Sequence, residues 1–85
     1  MNYRVDWSPR AEQMLAAVWL DSYDREGVAD DAALVDERLG RAPLSFGESR
    51  TSSVHRVGYL ENLGVEFEVI EDDKHVLVHA VFAIG

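Results

Sequence analysis

Arg50, His55 and Arg56 are the side chains of this sequence whose types and spacing come nearest to a catalytic set. An imidazole can take a proton from an attacking hydroxyl or return one to a leaving oxygen, and guanidinium groups stabilise a phosphorane-like transition state, so the set suits phosphodiester cleavage. The spacing limits it. The segment reads as a strand, in which adjacent side chains point to opposite faces, so His55 and Arg56 cannot readily act together. Arg50 and Arg56, six positions apart, share a face. That pair is either an anion-binding surface or two solvated arginines meeting the abundant carboxylates. A second constellation is Glu66 and Glu68, which alternate onto one face, with His79 joining them if the last two strands pair; this is a conceivable Glu/Glu/His metal set. Alternating glutamates on an exposed strand face are ordinary, however, and no ligand spacing here is diagnostic, so no metal and no cofactor is assigned. His75, beside Asp72 and Asp73, reads as a surface residue. There is no glycine-rich phosphate loop, no serine-histidine-acid arrangement and no basic-aromatic stripe.

The elements that must position these residues follow from periodicity. Tyr3, Val5 and Trp7 alternate with Arg4 and Asp6, the period of a half-buried strand. Ser8 can then cap a helix whose first position suits Pro9, because the missing N–H would have had no intrahelical partner. The helix is expected from about Ser8 to Tyr23, with Met14, Leu15, Val18 and Trp19 on its buried stripe and Gly27 as C-cap residue. Trp7 and Trp19 read as core anchors. Val28, Ala32, Val35 and Leu39 repeat at helical spacing, Asp30 and Asp31 lie near the N-terminus of that second helix, and Gly40 and Pro43 end it. The short link makes the two helices an antiparallel hairpin. Leu44 or Phe46 is expected to tuck against the core.

Beyond Glu48 the period becomes two. A polar strand is expected from about Ser49 to Tyr59, exposed or at an edge. A second carries Val65, Phe67 and Val69 against Glu66 and Glu68. After the Glu71-Asp72-Asp73-Lys74 turn, a nearly continuous apolar run from His75 to Ile84 reads as a central strand. The predicted fold is α+β, ordered β-α-α-β-β-β, a helix hairpin packed on a small, mostly antiparallel sheet.

Eighty-five residues with 47% apolar content make a single domain, 1–85, whose core must be efficient or extended by an oligomeric partner such as a second copy. Without cysteine there is no disulfide, thiolate metal site or cysteine nucleophile. No basic-then-apolar leader and no apolar run near the ~20 residues needed to cross a bilayer is present, so a soluble, cytoplasmic protein is expected. The formal charge of −8 would on average repel a polyanion and favours basic partners over nucleic acid, although net acidity also simply keeps a small protein in solution.

The opening V-D-W-S-P-R-A-E-Q-M-L, the helix V-x-x-x-A-x-x-V-D-x-x-L, Pro43, Gly47-Glu48-Ser49-Arg50, Phe67, Val69 and Asp72-Asp73 resemble the RelE/ParE superfamily of type II toxin–antitoxin toxins over nearly the whole chain. Most of these are core, cap and turn positions, so the resemblance bears on fold more than on activity. It implies a cognate antitoxin as partner, and as target either messenger RNA on the ribosome or DNA gyrase. Two functional positions depart from the superfamily. Gly64 stands where an arginine usually precedes the middle-strand aromatic Phe67, and Ala83 and Ile84 stand where a His-Arg pair is typical. The resemblance therefore implies a toxin-like protein acting by protein binding and neutralised by an antitoxin. The alternatives are a ribosome-dependent mRNA endoribonuclease and a diverged, noncatalytic interaction or dimerisation module.

Overall fold

The computed structural model describes residues 2–49 and 55–84. Strand β1 (Arg4–Trp7) alternates as expected, with Arg4 and Asp6 exposed and Val5 and Trp7 half-buried. Ser8 is extended and its hydroxyl accepts the Ala11 N–H at 3.0 Å, so Pro9 opens helix α1 (Pro9–Asp21) where its missing N–H does no harm. The helix stops earlier than its apolar pattern suggested, because Ser22 caps it, donating its N–H to the Trp19 carbonyl. Gly27 is not a C-cap. The Asp24 carboxylate accepts the Gly27 N–H at 2.9 Å and starts helix α2 (Arg25–Arg41) two residues before that glycine. Gly40 also lies inside α2, where its carbonyl accepts the Tyr3 N–H at 2.7 Å and ties the chain start to the helix end. Pro43 then opens a 3-10 turn, Pro43–Ser45, which leaves Leu44 46% exposed and turns Phe46 into the core at 7%.

The polar run expected as one strand from Ser49 to Tyr59 divides. Strands β2 (Glu48–Ser49) and β3 (His55–Tyr59) are antiparallel neighbours, with Glu48 opposite Val57 and Ser49 opposite Arg56. Gly47 precedes β2 at φ +84, and a Cβ there would come within 2.4 Å of the Val57 carbonyl oxygen, so glycine is required by both conformation and space. Strands β4 (Leu63–Ile70) and β5 (His75–Ala83) complete a five-stranded sheet in the order β1-β5-β4-β3-β2. β1 runs parallel to β5 and the other pairs are antiparallel, so β5 is central as its apolar run implied, and β3 is interior rather than an edge.

Both helices cover one face of this sheet. Ala11, Val28, Val35 and Leu39 from the helices meet Leu63, Val65, Phe67 and Val69 of β4 and Val76, Val78 and Val81 of β5. These elements therefore share one continuous core. Among the described residues one charged side chain is buried beside it. Asp31, 5% exposed, accepts the Asn62 N–H at 2.6 Å and fastens α2 to the β3–β4 turn. Among the described residues no helix is long and apolar enough to cross a membrane.

The β4–β5 ladder carries a bulge. Glu66 faces Ala80 and Phe67 faces Val78, which leaves His79 as the extra residue. Strict alternation would have sent Phe82 inward with Val76 and Val78. The bulge brings Val81 into the core instead and puts Phe82 on the far face. Ser8, just after β1, holds this point, donating its N–H to the Val78 carbonyl at 2.9 Å, with its hydroxyl 3.4 Å from the His79 carbonyl.

Candidate functional site

The sheet face turned away from the helices gathers the titratable side chains that the bulge and the register place there. His55 on β3 faces Glu68 on β4 in the ladder, and His79 on β5, the residue at the bulge, reaches the same carboxylate. His79 Nε2 lies 2.9 Å from Glu68 Oε1, and His55 Nε2 lies 4.0 Å from it. The two imidazoles stack with centroids 5.9 Å apart and planes 21° from parallel. A neutral His79 that donates from Nε2 to Glu68 keeps a lone pair on Nδ1, the arrangement by which a carboxylate orients a general base. A second pair sits further along the face, where His75 Nε2 is 2.7 Å from Asp6 Oδ2 and Arg4 Nε is 3.1 Å from the same oxygen. His75 is thus a partner of Asp6 rather than a loose surface residue.

Arg56 points the other way from His55, as their adjacency required, and donates from Nη2 to the Leu44 carbonyl at 3.0 Å. It serves the 3-10 turn on the helix side. Arg50 lies outside the described residues. Glu66 is exposed on the open face, but among the described residues no group of three or more His, Asp or Glu side chains is arranged to hold a metal ion. The far end of the same face is aromatic, with Tyr59 edge-on to Phe82 at 6.1 Å. Phe82 explains Gly64. A Cβ at that position would come within 2.3 Å of the Phe82 ring, so the place expected to carry an arginine is roofed by an aromatic side chain.

A second site lies between the helices. A groove of about 580 Å³ is lined by Trp7, Leu15, Trp19 and a floor of alanines, with Glu12 and Asp36 among its walls. Asp36 accepts the Trp7 Nε1–H at 2.6 Å, while Arg25 lies 4.8 Å over the Trp19 ring and donates to the Leu20 carbonyl at 3.0 Å. Trp19 is not the core anchor its helical spacing suggested, being 40% exposed, because the alanine side chains at the helix seam are too short to close over it. The signal for this groove in the sequence is the run of small side chains Ala16, Ala29, Ala32 and Ala33, of which the periodicity singled out Ala32 alone, as part of the α2 stripe.

A two-helix hairpin laid on one face of a mixed five-stranded sheet, with the opposite face open and bearing histidines and carboxylates, defines an α+β domain. The fold is that of the RelE/ParE toxins. A chain of the RelBE2 toxin–antitoxin complex from Mycobacterium tuberculosis superposes with a TM-score of 0.81 at 15% identity, covering 99% of this chain and 100% of its own. A chain of the chromosomal ParDE system from P. aeruginosa gives 0.72 at 15% identity, covering 98% and 97%. A chain of the intact E. coli RelBE complex gives 0.63 at 23% identity, covering 98% of each. At these identities the likeness is one of fold. No protein-family model and no curated protein matches the sequence.

Proposed function

We propose that this protein is the toxin-like member of a toxin–antitoxin pair, acting by binding a protein target in the cytoplasm and neutralised by a cognate antitoxin. The observation that carries this reading is the full-length match to chains of the RelBE2, ParDE and RelBE complexes, each of them a toxin–antitoxin assembly. The chemistry of the open face supports binding over catalysis. Arg56 is engaged on the other side of the sheet and Phe82 roofs Gly64, so a charge-rich phosphate cradle is not what this face is built to present. Induced expression in a bacterial host tests the proposal: growth should arrest and recover on co-expression of the antitoxin, and unimpaired growth at verified soluble levels would refute it. Intact messages accompanied by a DNA-damage response would identify gyrase as the target.

The His55–Glu68–His79 cluster favours one second reading, a ribosome-dependent mRNA endoribonuclease in which His79 is the general base and His55 the general acid. Codon-phased cuts in messenger RNA after induction, lost in both His79→Gln and Glu68→Gln with the fold intact, are its expected signature.

A further inference from the structure

A pocket of about 170 Å³ lies where helix α2 runs into the Pro43–Ser45 turn, lined by Arg38, Arg41, Ala42, Ser45 and Phe46. It shares no residue with the open face or with the groove between the helices. The chain carries sixteen carboxylates against eight lysines and arginines, yet among the described residues this pocket is lined by two guanidinium groups and no carboxylate. Arg38 and Arg41 stand three apart on α2, the spacing that brings side chains to one helical face. Arg56 brings a third positive charge to the same turn through its bond to the Leu44 carbonyl.

Arginines at a helix C-terminus ordinarily serve its last carbonyls and need no ligand to explain them. At this helix end other donors take that role. The Arg38 carbonyl accepts the Ala42 N–H at 2.9 Å, Gly40 accepts Tyr3 at 2.7 Å, Ala42 accepts Ser45 at 3.1 Å and Pro43 accepts Phe46 at 3.3 Å, while Leu44 is held by Arg56. Arg38 extends instead over the Phe46 ring, 5.8 Å from its centroid. Arg41 lies 3.6 Å from Glu37 in an exposed pair, a contact weak enough for a competing anion to displace.

We infer that this pocket binds the phosphate group of a small phosphomonoester, held by Arg38 and Arg41 with the exposed Ser45 hydroxyl as a further donor and the organic part against Phe46 and Ala42. A carboxylate has two oxygens and saturates one guanidinium fork, whereas three terminal phosphate oxygens satisfy both forks and the hydroxyl. A nucleic acid is a poor occupant. The formal charge of −8 on the chain repels a long polyanion far more than a single dianion.

The probes are inorganic phosphate and phenyl phosphate, titrated into the intact, isotopically labelled protein at constant ionic strength while the amides of Ala42, Ser45 and Phe46 are followed by NMR. Both should shift these amides saturably, phosphate with a Kd on the order of 1 mM and phenyl phosphate about three-fold tighter. Arg38→Gln and Arg41→Gln, at exposed positions, should each weaken phosphate about ten-fold, and Ser45→Ala about three-fold. Glu37→Gln, which releases Arg41, should tighten it about two-fold. Arg10→Gln removes an exposed arginine from the first turn of α1 and should leave binding unchanged. Amide shifts away from the turn verify that each variant keeps the fold. Non-saturating shifts, an equal response to acetate, or loss of binding in Arg10→Gln as large as in Arg38→Gln would each overturn the inference. So would tighter binding of a hexauridylate lacking a terminal phosphate than of phenyl phosphate, since that would assign the arginines to a nucleic-acid backbone.

Discussion

Glu68 is the residue on which the open face turns, because one carboxylate serves two stacked imidazoles drawn from strands on either side of it. Neighbouring positions show how single contacts set what this face can present. Gly64 carries the Phe82 ring, and Gly64→Ala should cost about 1–3 kcal/mol by forcing that ring away, measured as a lowered urea midpoint at unchanged slope. At the sheet edge the Tyr3 hydroxyl donates to the Glu71 carboxylate. This hydrogen bond, with smaller contributions from desolvation and the Glu71 charge, raises the phenol above its ordinary value of 10.0. The folded chain therefore holds the proton to higher pH than the unfolded chain. The stabilisation is complete below about pH 10 and is lost as pH rises through the folded value. Tyr3→Phe should consequently lower Tm by a constant amount at neutral pH, and the gap from the parent protein should close on the alkaline side.

At the scale of elements, the helices are fastened by side chains that take specific backbone amides. Asp31 reaches from α2 to the Asn62 N–H, and Asp31→Ala would leave that amide without its partner at a cost of about 1–3 kcal/mol, while Asp31→Asn, keeping an acceptor oxygen, should cost less. Chemical denaturation of the two variants side by side measures the difference. Asp24 decides where α2 begins, and Asp24→Ala should lose about 1 kcal/mol together with helicity at the first turn, visible as faster amide exchange at Gly27. The bulge at His79 is fastened from a single residue as well. Its carbonyls are held by Ser8, the residue that follows β1, so the Ser-Pro junction both starts α1 and braces β5 at the bulge.

For the whole molecule, sixteen carboxylates against eight lysines and arginines leave the folded chain repelling itself. The ion pairs Arg4–Asp6, Arg41–Glu37 and Lys74–Glu71 are exposed side-chain contacts, which contribute little to stability even at low salt. Raising sodium chloride from about 10 mM to about 500 mM should therefore stabilise the protein, with Tm rising by a few degrees as like-charge repulsion is screened. A fall in Tm would show that attractive pairs outweigh the net charge.

How much of this was legible in the chain depends on the range of the interaction. The Ser8-Pro9 junction, the alternation of β1 and β4, the central run of β5 and the core positions of α2 are local patterns of period two or about 3.6, and the amino-acid order determined them unaided. At the start of α2, Gly27 reads as a stop signal and Asp24 as a start signal within four residues, and a side-chain hydrogen bond between them decides for the start. The resemblance carried by core and turn positions reached the fold for the same local reason. The division of the polar run into β2 and β3, the sharing of Glu68 by His55 and His79, the roofing of Gly64 and the open helix seam belong to the tertiary structure. Each depends on strand register, a one-residue bulge or the distance between two helices, and these are set by contacts between residues far apart in the chain, where no sequence period records them.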